Sequence, residues 1–126
     1  MIEFAHPNTH KLFHIGHLRN IITGESVSKI LESTGFKVIR TNYQGDVGPH
    51  IAKCLWGIKK LGQKKLSTLD EKIKFLGRAY ATGSKAYEED EKTKSEIIEM
   101  NRQIYKKDKK ILKLWRETRN WSLSYF

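Results

Sequence analysis

The sequence predicts an α/β fold: one parallel strand–helix–strand unit followed by a helical segment. Three observations predict it. Short strand patterns occur at Ile2–Ala5 and at Lys37–Tyr43. A helical apolar pattern separates them. Beyond residue 48 the apolar residues recur at helical spacing only. Two strands joined through one helix over about forty residues fit a right-handed parallel crossover.

The first strand should stop at His6-Pro7, because proline cannot donate to a ladder and biases the residue before it towards extended backbone. A loop follows. Gly16 permits close backbone approach, and a helix runs from about His17 to Ser33 on Leu18, Ile21, Ile22, Val27, Ile30 and Leu31. Thr34-Gly35 ends it, with glycine suited to a left-handed cap.

Strand, loop, glycine and helix form a phosphate-binding layout. The first helix amides lack partners and carry the positive end of the dipole. His14, His17 and Lys11 add donors there, and Arg19 adds charge if it faces the same way. In such a sheet the ligand edge lies at the carboxyl ends of the strands, here Ala5–Asn8 and Asn42–Gly48. Asp46 reads as the cap of the next helix; the other reading is a carboxylate that faces a cationic substrate or orders the pocket.

Four of the five histidines, His6, His10, His14 and His17, fall within a dozen residues and would share one face of a continuous helix. Pro7 and Gly16 interrupt such a helix, and no cysteine or paired carboxylate stands nearby, so no metal site is assigned. Each histidine singly also reads as an ordinary loop or cap residue.

Pro49–Leu61 reads as a second helix, with proline in its first turn and Gly62 after its last. Residues 62–67 form a short polar connection. Ser67 or Thr68 caps a third helix built on Leu69, Ile73, Leu76, Tyr80 and Tyr87, which Gly77 and Gly83 weaken. Glu88–Lys94 is a charged break. A fourth helix carries Ile97/Ile98, Ile104/Tyr105, Ile111/Leu112 and Trp115 at a seven-residue period. Two heptads fall short of a coiled coil, so packing on the third helix is the expectation.

Length allows one domain or a piece of a larger one: the chain has 126 residues. Net charge is +10 and unevenly spread. Residues 1–58 carry six basic and four acidic residues, and residues 59–126 carry eighteen and ten. Such a surface favours a polyanion; it also serves simply as a solvated helix face. The single cysteine, Cys54, excludes an internal disulfide, fits a reducing compartment and reads as a small buried apolar residue. No run is long and apolar enough to span a membrane. A strand at the start and an amphipathic aromatic helix at the end read as an early slice of a longer enzyme.

His14-Ile15-Gly16-His17 resembles the HIGH signature of class I aminoacyl-tRNA synthetases. The longer string is more specific. Glu3-Phe4, Pro7-Asn8, Lys11 and His14 through Asn20 resemble arginyl-tRNA synthetase, as does Asn42-Tyr-Gln-Gly-Asp46-Val-Gly48. The likeness is close over residues 2–53 and looser beyond, with Leu114-Trp115 to Ser122-Leu123 similar to a helical stretch of the family's catalytic domain.

The resemblance implies the first strand–helix–strand unit of a Rossmann-like (HUP) domain over residues 1–62, and a helical insertion over 63–126. It implies ATP, with Mg2+, and L-arginine as substrates, tRNA-Arg as partner, a cytoplasmic location and a monomeric full enzyme. It implies His14, His17 and Lys11 as catalytic and ATP-binding residues with Gly16, and Glu3, Asn8 and His14 as arginine-binding residues. Two other readings stay open: a basic helical RNA-binding module without catalysis, and a different nucleotidyltransferase that uses HxGH.

Overall fold

The computed structural model describes residues 1–62 and 66–126. Seven elements follow in order: β1 (Ile2–Glu3), α1 (Ile15–Ser33), β2 (Arg40–Thr41), α2 (Pro49–Leu61), α3 (Leu69–Glu89), α4 (Glu91–Tyr105) and α5 (Lys109–Tyr125). Part of the polar connection, residues 63–65, lies outside the described residues. The chain forms two compact units: Met1–Asn8 with Phe13–Gly45, and Thr9–Leu12 with Asp46–Phe126.

In the first unit β1 pairs parallel to β2, Ile2 opposite Arg40 and Glu3 opposite Thr41, with α1 between them in sequence. The strands are shorter than the sequence predicts. β1 ends before proline acts, because Ala5 and His6 take positive φ of 77° and 45° and turn the chain out of extended backbone. His6 is therefore not extended. Its N–H donates to Asn42 Oδ1 at 3.2 Å, and its Nδ1 accepts from the Tyr43 N–H at 3.3 Å. These bonds stitch the exit of β1 to the exit of β2.

Helix α1 begins at Ile15, two residues earlier than predicted, and ends at Thr34 and left-handed Gly35 (φ 89°) as the sequence suggests. Its packing does not follow its apolar residues. The buried positions are His17, Gly24 and Ser28, while Leu18, Ile22, Val27 and Ile30 are exposed. Gly24 decides this face: a Cβ there would overlap the Phe4 ring, so the helix lies directly on the residue that follows β1. Arg40 of β2 reaches α1 with bidentate bonds of 2.7–3.1 Å to both Glu25 and Glu32. Its hydrogen bonds hold both carboxyls below their ordinary range.

The second unit has one core, drawn mainly from Ile51, Leu55 and Ile58 of α2 and Ile73, Phe75 and Leu76 of α3, closed by Ile97, Ile104 and Ile111. Cys54 is fully buried among them, and burial pushes its thiol far up. Thr68, one of the two caps expected for α3, is its N-cap and forms a reciprocal cap with Glu71. Helices α3 and α4 meet at the single residue Asp90, which ends one and caps the other.

The fourth helix of the sequence reading is two helices. Lys107 takes φ 60°, with bonds from Lys107 N–H to Ile104 O and from Asp108 N–H to Gln103 O. That is a Schellman turn with lysine where glycine is usual. The Asp108 carboxylate then accepts from the Lys110 and Ile111 amides, each at 3.0 Å, and starts α5. The seven-residue period spans this corner and marks no coiled coil.

Gly83 does not simply weaken α3. A Cβ at Gly83 would overlap the Lys53 carbonyl, and one at Gly57 the Ala79 carbonyl, so the two glycines let α2 and α3 touch backbone to backbone. Glycine to alanine inside a helix ordinarily stabilises by about 1 kcal/mol. Gly83→Ala should instead destabilise by about 3 kcal/mol, since neither backbone can yield. The urea midpoint of unfolding checks the sign; a rise would refute the close crossing.

Candidate active site

Helix α1 starts on its two signature histidines. His14 is the N-cap, in extended backbone at φ −140°, and His17 is the third helical residue. The Gly16 N–H donates to His14 Nδ1 at 3.1 Å, and the His14 N–H donates to His17 Nδ1 at 3.2 Å. The rings stand 3.9 Å apart, and Phe13 stacks on His17 at 5.0 Å. His14 is exposed and His17 is 8% exposed.

An Nδ1 that accepts a hydrogen bond carries no proton, so this geometry assigns both imidazoles to the neutral Nε2–H tautomer. The exposed His14 ring therefore presents its Nε2–H at the start of the helix. Gly16 makes room first for its neighbour: a Cβ there would come within 2.9 Å of the His14 ring.

The structure thus gathers His14, Gly16 and His17 at one helix start. In the same unit Glu3 lies exposed on β1, Asn8 is half-buried in the loop after it, and Arg19 is exposed on α1. Among the described residues no group of three or more potential metal ligands is gathered. His6 is engaged with β2 and His10 with α5, so the four histidines do not share a helix face.

Lys11 belongs to the helical unit. Its ammonium lies 4.9 Å from the centre of the Tyr80 ring on α3, a cation–π contact. Burial works to raise the Tyr80 phenol, but the neighbouring Ser84 hydroxyl and Lys11 ammonium outweigh it and hold the phenol below its ordinary value.

His10, next to it, is completely buried at φ 63°. Its N–H donates to Ser122 Oγ at 2.9 Å, and Nε2 lies 2.6 Å from Thr118 Oγ1. The Thr118 hydroxyl is itself directed at Leu114 O, 2.8 Å away, so Nε2–H is the donor to it. Nδ1 then accepts from Thr9 Oγ1 at 3.0 Å. Every polar atom of the ring is satisfied without a charge.

Asp46 does not cap α2. Gly48 is that N-cap and makes no side-chain bond. The Asp46 carboxylate instead pairs with Arg119 Nε at 2.7 Å, and its carbonyl accepts from Trp115 Nε1 at 2.7 Å. Helix α5 therefore fastens both the Lys11 loop and the Asp46 loop. The sequence reading missed Thr118 and Ser122. Their signal was two hydroxyl residues four apart on the stripe that continues from Ile111, where a buried polar partner is needed.

The model of the family described as tRNA synthetases class I (R), catalytic domain, matches residues 1–124. The chain belongs to this family of class I synthetases. Among curated proteins it is 36% identical over 129 residues to an arginine–tRNA ligase of Bdellovibrio bacteriovorus, covering 98% of this chain and 22% of that protein. It is 36% identical over 127 residues to the arginine–tRNA ligase of Borreliella afzelii, covering 98% and 21%. It is 37% identical over 128 residues to that of Treponema denticola, covering 98% and 22%. The chain spans about a fifth of the length of these relatives.

Burial, then repulsion from His50 and Arg119, pushes the His10 pKa down from 6.5 to about 3. The unfolded chain therefore binds a proton below pH 6.5 that the folded chain refuses. Stability from this residue is complete above pH 6.5 and is lost as pH falls towards 3. Between pH 7.5 and 5 the loss should be about 2 kcal/mol. Denaturant titrations at the two values check it: His10→Gln should be less stable at pH 7.5 but show a flatter pH dependence. Equal slopes would contradict the buried neutral ring.

Proposed function

We propose that this chain forms the opening part of the Rossmann-like (HUP) catalytic domain of a cytoplasmic arginine–tRNA ligase, with residues 63–126 as a helical insertion in it. The reaction has two steps. The arginine carboxylate attacks the α-phosphorus of ATP, the bond to the β-phosphate oxygen breaks, and pyrophosphate leaves with arginyl-adenylate formed. A terminal ribose hydroxyl of tRNA-Arg then attacks the arginyl carbonyl, and AMP leaves. Mg2+ arrives with ATP as part of the substrate.

One observation carries the reading: the reciprocal cap that holds the His14 and His17 rings together at a helix start. The first step adds negative charge to phosphoryl oxygens, and fixed donors aimed at them lower its barrier. His14 and His17 supply those donors, Gly16 keeps the backbone open to the nucleotide, and Lys11 neutralises phosphate charge. Asn8 and His14 hold the backbone groups of the amino acid, and Glu3 offers a carboxylate to its cationic side chain. The names of the relatives support arginine as the amino acid. Lys109, Lys113 and Arg116 form a basic stripe on α5 suited to tRNA phosphates. Among the described residues no helix is long and apolar enough to cross a membrane.

Arginine-dependent exchange of pyrophosphate into ATP, with tRNA present, tests the proposal on the complete gene product. His17→Ala should slow exchange by about a hundredfold or more with a smaller effect on ATP affinity, and Lys11→Ala should be similarly costly. RNA binding without ATP binding would favour a non-catalytic RNA module. Exchange without preference for arginine would favour another HxGH nucleotidyltransferase.

A further inference from the structure

We infer that His10 is a positioning residue for Lys11: seated between Thr118 and Ser122 of α5, it fixes the backbone from which the lysine reaches the Tyr80 ring. The inference rests on the role proposed above for Lys11 and goes beyond it, because it places control of that lysine in the helical unit. Lys11 itself has a long stem with many rotamers and a point charge that no geometry of its own directs. It is held at two ends. Its ammonium lies 4.9 Å from the centre of the Tyr80 ring on α3. Its backbone follows a residue in the left-handed region, φ 63°, which a histidine adopts only when its surroundings impose it.

Those surroundings are specific. The His10 N–H is bound to Ser122 and its ring to Thr9 and Thr118, and both α5 hydroxyls are buried. A leucine would fill the same space and keep the main-chain bond to Ser122, but it would lose both ring bonds, to Thr9 and to Thr118. The ring is fully buried and its nitrogens are both occupied, so His10 has no part in acid–base chemistry. What it controls is direction.

The test uses Thr118→Val, which keeps side-chain shape and removes the acceptor, with Thr118→Ser as the conservative rescue. Lysines are reductively methylated with 13C in the complete gene product, and the Lys11 resonance is identified by its loss in Lys11→Arg. Tyr80→Leu shows where that resonance moves when the ring current is gone. Thr118→Val should shift it in the same direction, and Thr118→Ser should restore it. In unmodified protein Thr118→Val should lower kcat for pyrophosphate exchange about tenfold while KM for ATP changes less than about twofold.

A Lys11 resonance unmoved in Thr118→Val, with Lys11→Ala still slowing exchange, overturns the positioning role and leaves the reading of Lys11 intact. Less folded protein, with kcat per folded molecule unchanged, overturns it equally by marking a purely structural bond. Exchange unaffected by Lys11→Ala overturns the reading of Lys11 instead, and the resonance still reports whether the seat of His10 holds it.

Discussion

Two imidazoles that each accept a backbone proton set how α1 begins, and with it the geometry of the candidate site. Serine, threonine or aspartate would cap the helix as well. Aspartate would add a negative charge there, and a hydroxyl would reach no further than the cap. Imidazole does two tasks with opposite atoms. Nδ1 satisfies an orphan amide, and the proton is left on Nε2. The cap thus fixes the tautomer. That pairing explains why two histidines three residues apart, with glycine between, form one device.

The helical unit shows a related economy on α5. Its inner stripe begins apolar at Ile111 and ends in the hydroxyls of Thr118 and Ser122. Small polar residues on a buried stripe leave room for another chain segment, here His10. One turn away Trp115 and Arg119 take the Asp46 loop by its carbonyl and its carboxylate. Left-handed non-glycine residues cost on the order of 1–3 kcal/mol each. Three of them, Ala5, His6 and His10, fall within six residues. His6 and His10 are held by hydrogen bonds from elements distant in sequence, which a loop of ordinary backbone would not require.

What could be read from the sequence was what local chemistry decides. The loop-to-helix change around Gly16 was read to within two residues of its place, and Thr68 was one of the two caps expected for α3. Thr34-Gly35 and Gly62 mark helix ends because left-handed glycine needs no context. The corner between α4 and α5 was hidden for two reasons. Lysine occupies its left-handed position, and Ile104 and Ile111 stay seven residues apart whether the helix is straight or broken. Asp46 had a plausible local role, but its partner Arg119 lies 73 residues later, beyond any window of local reasoning. Gly83 was scored by helix propensity, whereas the approach of the Lys53 carbonyl decides it.

Helix α1 shows the limit of periodicity most clearly. Its apolar residues repeat at helical spacing, and it is helical, yet Ile15, Ile22 and Ile30 are 78%, 57% and 64% exposed. The face that is buried carries His17, Gly24 and Ser28 instead. Periodicity records which surface gains from leaving water; it does not say that a given stretch of chain supplies the cover. Two different pressures act on opposite sides of this helix. Close approach to Phe4 requires small residues on one side, and that is satisfied here by Gly24. Hydrophobic transfer would favour burial on the other, at roughly 25 cal/mol for each Å² removed from water. Within this chain the helix is therefore placed by its smallest residue and not by its most apolar ones.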